Sequence, residues 1–262
     1  MTDTTGIWMY AVTEAGHTAD LVSTATGVAG ERVRVIGEDG LTAVVGTVPL
    51  AEFGADALTR NLEDLGWLER VARAHDAVVS TLGRRIPVIP LRLATVCLDE
   101  HRVHEILMQH RREFTEALTL VTGRTEWGVK AFADRKTLSE ALTDANTGDA
   151  AGGSGTAYLL RRRAQLAARE SVEREAAARA DDIHERLLHR AAAGRRNPPT
   201  DPALSGNPEW MLLNGSYLVD DEAADEFRSE VEDLGKSFAG IRVELTGPWP
   251  PYSFAGAERI AP

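Results

Sequence analysis

The segment from Thr156 to Ala193 contains neither proline nor glycine, and it constrains the fold more than any other part of the sequence. It is rich in Ala, Leu, Glu and Arg, which lose little side-chain entropy in a helix. Since an α-helix rises ~1.5 Å per residue, a single helix of this length would extend roughly 55 Å, more than the diameter of a small domain. The sequence therefore predicts a long helix at about 156–193 that either projects or bends back onto its own domain.

Apolar residues recur along this segment at intervals of three or four, which predicts one apolar stripe on the helix. They are Val172, Ala176, Ala180, Ile183, Leu187 and Ala191. Three acid-first pairs at i,i+4 spacing suit an exposed helix face. These pairs are Glu170–Arg174, Glu175–Arg179 and Asp182–Arg186. Two interpretations stay open, because the stripe could pack on its own domain or serve as a helical arm for a partner protein.

The formal charge of the chain is −11 at pH 7, which argues against bulk nucleic-acid binding. The charge is uneven, because residues 155–196 carry ten Lys/Arg against six Asp/Glu. A basic helix on an acidic body is either a solvated helix face or a docking surface.

The sequence predicts a cytoplasmic protein without a membrane span. Its single cysteine, Cys97, permits no internal disulfide, as is usual in a reducing compartment. No stretch approaches the ~18 consecutive apolar residues of a spanning helix. The first six residues also lack the basic and apolar regions of a signal peptide.

The first half of the chain is expected to form an α+β domain of residues 1–122, with helices on one face of a mainly antiparallel sheet. Strands are predicted at 7–12, 32–36, 41–48 and 86–96. A hairpin turn is predicted at Glu38-Asp39-Gly40. Helices are predicted at 51–82, broken near Asn61 or Gly66, and at 100–122, where Asp99 would be the N-cap. Pro87 and Pro90 lack N–H donors, so the strand at 86–96 should start irregularly or lie at an edge.

The second half is expected to form a second α+β domain, residues 123–262. A strand is predicted at 126–133, a helix at 134–145, a flexible connection at 146–155 and then the long helix. A strand at 210–219, interrupted near Asn214-Gly215, precedes a helix from Asp220 to about Phe238 and a strand at 241–245. The tail at 247–254 combines prolines and aromatics, which predicts a rigid, extended segment that packs across a surface.

No catalytic, metal-binding or cofactor-binding set is predicted. His75-Asp76 resembles the paired residues of a metal-dependent phosphohydrolase, but further ligands at suitable spacing are missing and His75 falls on an apolar face. His101 and His104 are three residues apart on one predicted helix, with no further ligand at a suitable position. The glycine-rich stretch from Gly148 to Gly155 lacks Gly-Lys-Ser/Thr. The pattern therefore favours a protein that acts by binding.

Five short motifs, spread in order across nearly the whole chain, resemble those of the gas vesicle protein F/L family. They are Trp8-Met9-Tyr10-Ala11-Val12, Ile89-Pro90-Leu91-Arg92-Leu93-Ala94-Thr95-Val96, Trp127-Gly128-Val129-Lys130, Gly153-Ser154-Gly155-Thr156-Ala157-Tyr158-Leu159 and Gly247-Pro248-Trp249-Pro250-Pro251-Tyr252-Ser253-Phe254. Leu93 stands where the family often has Phe.

This resemblance implies two α+β domains, each in part a ferredoxin-like antiparallel sheet with helices, and a long helical element in the second. It also implies a non-enzymatic accessory role in assembling the gas vesicle, a hollow protein shell. The implied partners are the small hydrophobic shell protein and other accessory proteins.

Two surfaces are the candidates for contact with these partners. The long helix would contribute Tyr158, Arg161, Arg162, Leu166, Val172, Ile183 and Leu187, and the tail Trp249, Tyr252 and Phe254. The alternative from another functional class is a ligand-sensing regulatory module, since ferredoxin-like halves commonly bind small molecules between domains. A ligand-specific rise in melting temperature without shell-protein binding would indicate this alternative.

Overall fold

The computed structural model describes residues 5–16, 18–134, 137–138, 155–199, 210–238 and 240–256, with side chains of the long helix described from Glu170 onward. The chain forms two compact units. One runs up to Glu126 and takes in the tail from Pro248, and the other runs from Trp127 to Gly247. The units therefore divide four residues after the expected boundary at 122, and the tail belongs with the first unit.

The first unit is built around a mixed arrangement of strands and helices. Its elements are β1 (Thr5–Glu14), α1 (Thr18–Val22), β2 (Arg34–Glu38), β3 (Leu41–Pro49), α2 (Leu50–Phe53), α3 (Ala55–Asn61), α4 (Leu65–Gly83), β4 (Ile89–Pro90), β5 (Val96–Cys97), α5 (Glu100–Gln109) and α6 (Arg111–Val121). The sheet order is β2-β3-β1-β4, and β5 also pairs with β1. Within the described residues, the strand pairings of this sheet are antiparallel, as predicted.

Both faces of the first sheet are covered by helices, so the expectation of helices on one face was wrong. One core cluster contains residues of α5 and α6, among them Ile106 and Phe114. The other contains residues of α2 and α4, among them Phe53 and Val79. The physical reason lies in β1, whose eight central residues are all buried. A strand with two apolar faces needs a packing layer on each of them.

A bulge in β1 turns Tyr10 and its neighbour toward the same side of the sheet. The pairing with β3 runs from Met9↔Val45 directly to Ala11↔Val44, which leaves Tyr10 as the extra residue. Tyr10 and Ala11 therefore both join the α4-side core, although side chains alternate in a regular strand.

The bulged Tyr10 seats its hydroxyl group in a small polar cradle. The hydroxyl donates to Glu31 Oε1 at 2.5 Å and accepts from the N–H of Val28 at 2.8 Å. Burial, followed by the Glu31 carboxylate, raises the pKa of Tyr10 far above its ordinary value. A Cβ at Gly46 would lie 2.1 Å from Glu31 Oε1, so a larger residue here would have to displace the carboxylate that holds Tyr10.

Gly46→Ala is expected to destabilise the first unit by about 1–3 kcal/mol, because the added methyl group must displace the Glu31 carboxylate. Gly37→Ala is the matched control, since its Cβ would meet nothing nearer than the Leu41 carbonyl oxygen at 3.9 Å. Urea unfolding of the two variants measures the difference. Equal midpoints for both would contradict the cradle's steric role.

Local signals in the first half were mostly confirmed. Asp39 and Gly40 have φ values of 43° and 85°, as the predicted hairpin turn requires. The Asp99 side chain accepts from the N–H of Arg102 at 2.9 Å, which confirms the N-cap. The helix predicted from residue 51 breaks between α3 and α4, where Asp64 caps the second piece. The helix predicted at 100–122 is divided at His110.

The single strand predicted at 86–96 was wrong. Only Ile89–Pro90 and Val96–Cys97 pair with β1. Between them, Ala94 adopts a positive φ of 65° and interrupts any extended run. Pro87 and Pro90 lack N–H donors, which predicts an irregular strand but does not predict its division into two short strands.

The second unit contains the long helix and the second sheet. The elements are β6 (Arg124–Ala133), α7 (Gly155–Leu188), β7 (Ala193–Arg196), β8 (Trp210–Asp220), a 3-10 turn (Asp221–Ala223), α8 (Ala224–Ser237) and β9 (Ile241–Trp249). The sheet order is β7-β8-β6-β9. The predicted α+β class with a long helix is confirmed, while the ferredoxin-like description stays a prediction. The helix expected at 134–145 and the connection at 146–155 lie almost wholly outside the described residues.

The long helix ends at Leu188, five residues before the predicted end, and a short strand follows it. β7 pairs with β8, with Gly194 opposite Tyr217. A Cβ at Gly194 would lie 2.9 Å from the Tyr217 ring, so the glycine allows this close approach. The expected interruption of β8 near Asn214-Gly215 was wrong, because Gly215 continues the ladder opposite Arg196.

Ion pairs connect the long helix to its neighbours rather than following the predicted i,i+4 order throughout. Glu175–Arg179 forms as predicted, at 2.8 Å. Arg186 instead contacts Glu230 of α8 at 2.6 Å. Tertiary geometry therefore redirected a side chain that helical spacing alone assigned to Asp182.

Candidate interaction surface

The apolar stripe of the long helix faces the core of its own unit. Val172, Ile183 and Leu187 are buried, the last two with no exposed surface, beside Ala176 and Ala180. The periodicity was therefore right about a stripe, and this part of the helix packs on its own unit. These three proposed contact residues are not available to a partner in this structure.

The remaining helix candidates lie in the first half of α7. Tyr158, Arg161, Arg162 and Leu166 are within the helical range Gly155–Leu188. Their side chains lie outside the described part of the structure, so their contact role stays a prediction.

The tail presents two of its three candidate aromatics to solvent. Trp249 is 49% exposed and Tyr252 is 40% exposed, whereas Phe254 is half-buried. We refer to Trp249 and Tyr252 as the exposed tail aromatics. Large rings that combine apolar area with a polar atom are enriched at protein interfaces.

The tail is held on the first unit by a few specific contacts. The N–H and hydroxyl groups of Ser253 donate to the two Glu126 carboxylate oxygens, at 2.8 and 2.5 Å. The Tyr252 hydroxyl group donates to Asp76 Oδ1 at 3.3 Å, and Ala255 is buried in the first unit's core. The sequence predicted that the tail packs across a surface, but it missed Glu126 and Asp76 as the residues that receive it. The extended conformation predicted for the whole tail was wrong beyond β9, because the chain turns at Tyr252–Phe254 and forms hydrogen bonds within the segment.

The position of Glu126 in the sequence indicates that its carboxylate needs hydrogen-bond donors. It is a carboxylate at the start of an apolar alternating run, and it is nearly fully buried. Buried carboxylates require hydrogen-bond donors. The sequence does not reveal that these donors come from a serine 127 positions further along the chain.

His75 is a structural histidine of the first unit's core. Its Nδ1 accepts from Trp8 Nε1 at 3.0 Å, and its Nε2 donates to the Leu91 carbonyl oxygen at 3.2 Å. Burial lowers its pKa from 6.5 to about 4, against a smaller raising effect of the Leu91 hydrogen bond. Both ring nitrogens are engaged, which confirms the interpretation of His75 as a core residue.

The helix histidines His101 and His104 contact carboxylates. His104 Nδ1 lies 2.6 Å from Glu38, and His101 Nε2 lies 3.3 Å from Glu105. Within the described residues, no three His, Cys, Asp or Glu side chains are arranged to hold a metal ion. The helices covered by the same description contain none that is both long and apolar enough to span a membrane.

The sequence of the chain matches the family described as "Gas vesicle synthesis protein GvpL/GvpF" over residues 6–256. It is 41% identical over 249 residues to gas vesicle protein L of Streptomyces sp. (strain CB03234), covering 95% of this chain and 92% of that protein. It is 27% identical over 232 residues to gas vesicle protein F of the same strain, covering 85% and 87%.

The fold is similar to the crystal structure of gas vesicle protein GvpF from Anabaena sp. PCC7120. The TM-score is 0.71 at 19% sequence identity, and the match covers 96% of both chains. At this identity the likeness concerns the fold, including the mixed helix and sheet architecture described above.

Proposed function

Because this chain belongs to the GvpL/GvpF family of gas vesicle synthesis proteins, we propose that it takes part in gas vesicle assembly by binding the small hydrophobic shell protein and other accessory proteins. The family match along nearly the whole chain is the observation that carries this proposal. The family match supports a role in gas vesicle formation. The named partners, and a chaperone-like or minor structural role, are proposals that go beyond the match.

The physical need for such a partner follows from the shell itself. A shell subunit with an apolar gas-facing surface would aggregate before it is assembled. Covering that surface gains ~25 cal/mol for each Å² of apolar area removed from water. This role requires binding and release and no catalytic step, and its proposed location is the cytoplasm and the gas vesicle.

The exposed tail aromatics are the first candidate contact. Trp249 and Tyr252 present partly exposed rings, and the intervening prolines restrict the backbone before any partner arrives. A pre-ordered segment loses less conformational entropy on binding. The first half of α7, with Tyr158, Arg161, Arg162 and Leu166, is the second candidate. Its basic charge would suit an acidic accessory protein.

Trp249→Ala is expected to weaken binding to the shell protein about tenfold or more, since interface tryptophans commonly contribute more than ~1.4 kcal/mol. The folded state should be preserved, because the ring is half-exposed. Leu65→Ala removes an exposed apolar side chain elsewhere on the same unit and is the matched control. Light scattering of purified shell protein, mixed with each variant, measures the suppression of aggregation.

Equal suppression by the folded Trp249→Ala variant and by the control would remove the tail from the proposed contact surface. The broader proposal has its own test, a pull-down of this chain from cells that make gas vesicles. Recovery of the shell protein or of other vesicle proteins is expected. Recovery of the chain alone from cells with abundant vesicles would contradict the partner-binding proposal.

A further inference from the structure

The chain leaves the first unit after Glu126 and returns to it at Pro248. The returning segment, residues 248–256, is short, and its contacts with the unit are concentrated at a few residues. Ser253 and Tyr252 donate hydrogen bonds to the unit, and Pro251 and Ala255 are the buried residues of the segment. A segment held in this way opens at a lower free energy than the strands and helices beneath it.

We propose that residues 250–256, which follow β9, form a strap that can detach from the first unit while the rest of the chain stays folded, with the Glu126 carboxylate as its latch. Both carboxylate oxygens are satisfied by one residue, Ser253. Hydrogen bonds to a charged acceptor are stronger than neutral ones. The two Ser253 bonds, at 2.8 and 2.5 Å, are shorter than the bond from Tyr252 to Asp76 at 3.3 Å, so we assign the latch to this serine.

Neighbouring residues of the segment show the mixed exposure of a strap lying on a surface. Pro251 and Ala255 are buried, whereas Tyr252 and Gly256 are exposed. Two hydrogen bonds lie within the segment itself, from Tyr252 N to the Pro250 carbonyl oxygen at 2.7 Å and from Phe254 N to the Pro251 carbonyl oxygen at 3.1 Å. These bonds and the prolines let the segment keep its local shape when it detaches.

Detachment would uncover a specific seat on the first unit. The seat combines the Glu126 carboxylate with the apolar position that Ala255 occupies. Its chemistry fits a turn-forming segment with a serine that offers N–H and hydroxyl donors and a small apolar residue two positions later. The peptide Pro248–Gly256 has this chemistry and serves as the probe for an open seat.

Ser253→Asp in the full-length chain tests the latch, because it places a second carboxylate against Glu126. Hydrogen exchange within residues 250–256 is expected to speed up at least tenfold, while β1, β3 and β9 keep their protection. A fluorescently labelled synthetic peptide of residues 248–256 should bind this variant at least tenfold more tightly than it binds the wild type. Ser23→Asp adds the same charge at an exposed serine of the same unit and should change neither result.

Ser253→Ala is the milder second variant, since it removes the hydroxyl donor and keeps the N–H donor. It should give an intermediate increase in exchange. Unchanged exchange in both variants would overturn the latch. Faster exchange throughout β1, β3 and the strap together would show that the segment opens only with the whole unit, and it would overturn the independent strap. Neither outcome depends on which partner the protein binds.

Discussion

Replacing Leu187 with alanine is expected to lower the free energy of unfolding of the second unit by about 2–5 kcal/mol, the range for truncating a fully buried leucine. Leu187 has no exposed surface and lies in the second unit's core with Ile183 and Phe227. The truncation loses buried apolar area and leaves a cavity that the surrounding helices and strands can only partly fill.

Leu188→Ala is the matched control for this prediction. The two leucines are adjacent on the same helix, but Leu188 is 37% exposed. Its truncation is expected to cost under ~1 kcal/mol, because less area is lost and solvent fills the space. Urea unfolding followed by far-ultraviolet circular dichroism measures both variants. Since the chain has two units, the transitions should be fitted without assuming a single step.

This pair of variants also decides how the long helix is used. If Leu187→Ala is as stable as Leu188→Ala, the stripe is not packed on its own unit, and a helical arm for a partner becomes tenable again. The expected large difference would instead mean that charged substitutions at Val172, Ile183 or Leu187 abolish binding by unfolding the unit. Such substitutions would then say nothing about a contact surface.

The second large effect is a loss of stability of the first unit in mild acid, caused by His75. Its folded pKa of about 4 lies below the ordinary value of 6.5, because burial disfavours the charged ring. The neutral form is therefore favoured by folding. The stabilising contribution is complete above pH 6.5 and is lost as the pH falls toward 4. Between pH 7.5 and pH 5 the loss amounts to about 2 kcal/mol.

His75→Gln isolates this effect from the titration of carboxylates elsewhere. The variant cannot acquire the buried charge, so its unfolding free energy should fall by about 2 kcal/mol less than that of the wild type over the same pH range. The variant has its own constant cost, because a glutamine side chain differs in shape from the buried ring that it replaces between Trp8 and Leu91. Parallel pH profiles for the two proteins would show that His75 does not control the acid sensitivity.

Features that depend on a few neighbouring residues were accessible from the sequence. The stripe on α7 follows from a spacing of three or four residues, and Val172, Ile183 and Leu187 are buried as that spacing predicts. The turn at Asp39-Gly40 and the cap at Asp99 follow from backbone and side-chain chemistry within four residues. The stripe, the turn and the cap each involve residues that are close in sequence, so rules for neighbouring residues are enough to predict them.

Rules for neighbouring residues do not predict which part of the protein each of these surfaces contacts. Periodicity identified the α7 stripe, but whether it met a partner or its own sheet depended on the position of β6 and β8. The bulge at Tyr10 shifts the alternation of β1, and it becomes visible only in the pairing of β1 with β3. Arg186 likewise has an acid, Asp182, at helical spacing, but it forms its ion pair with Glu230 of α8.

The tail shows most clearly what the sequence alone does not determine. Its prolines and aromatics predicted a segment at 247–254 that packs on a surface, because these side chains restrict the backbone and need cover wherever they lie. Which surface it packed on was decided by the tertiary structure, which brings Ser253 to Glu126 and Tyr252 to Asp76. Contacts between residues so far apart depend on the folding of everything between them, and no local pattern records that outcome.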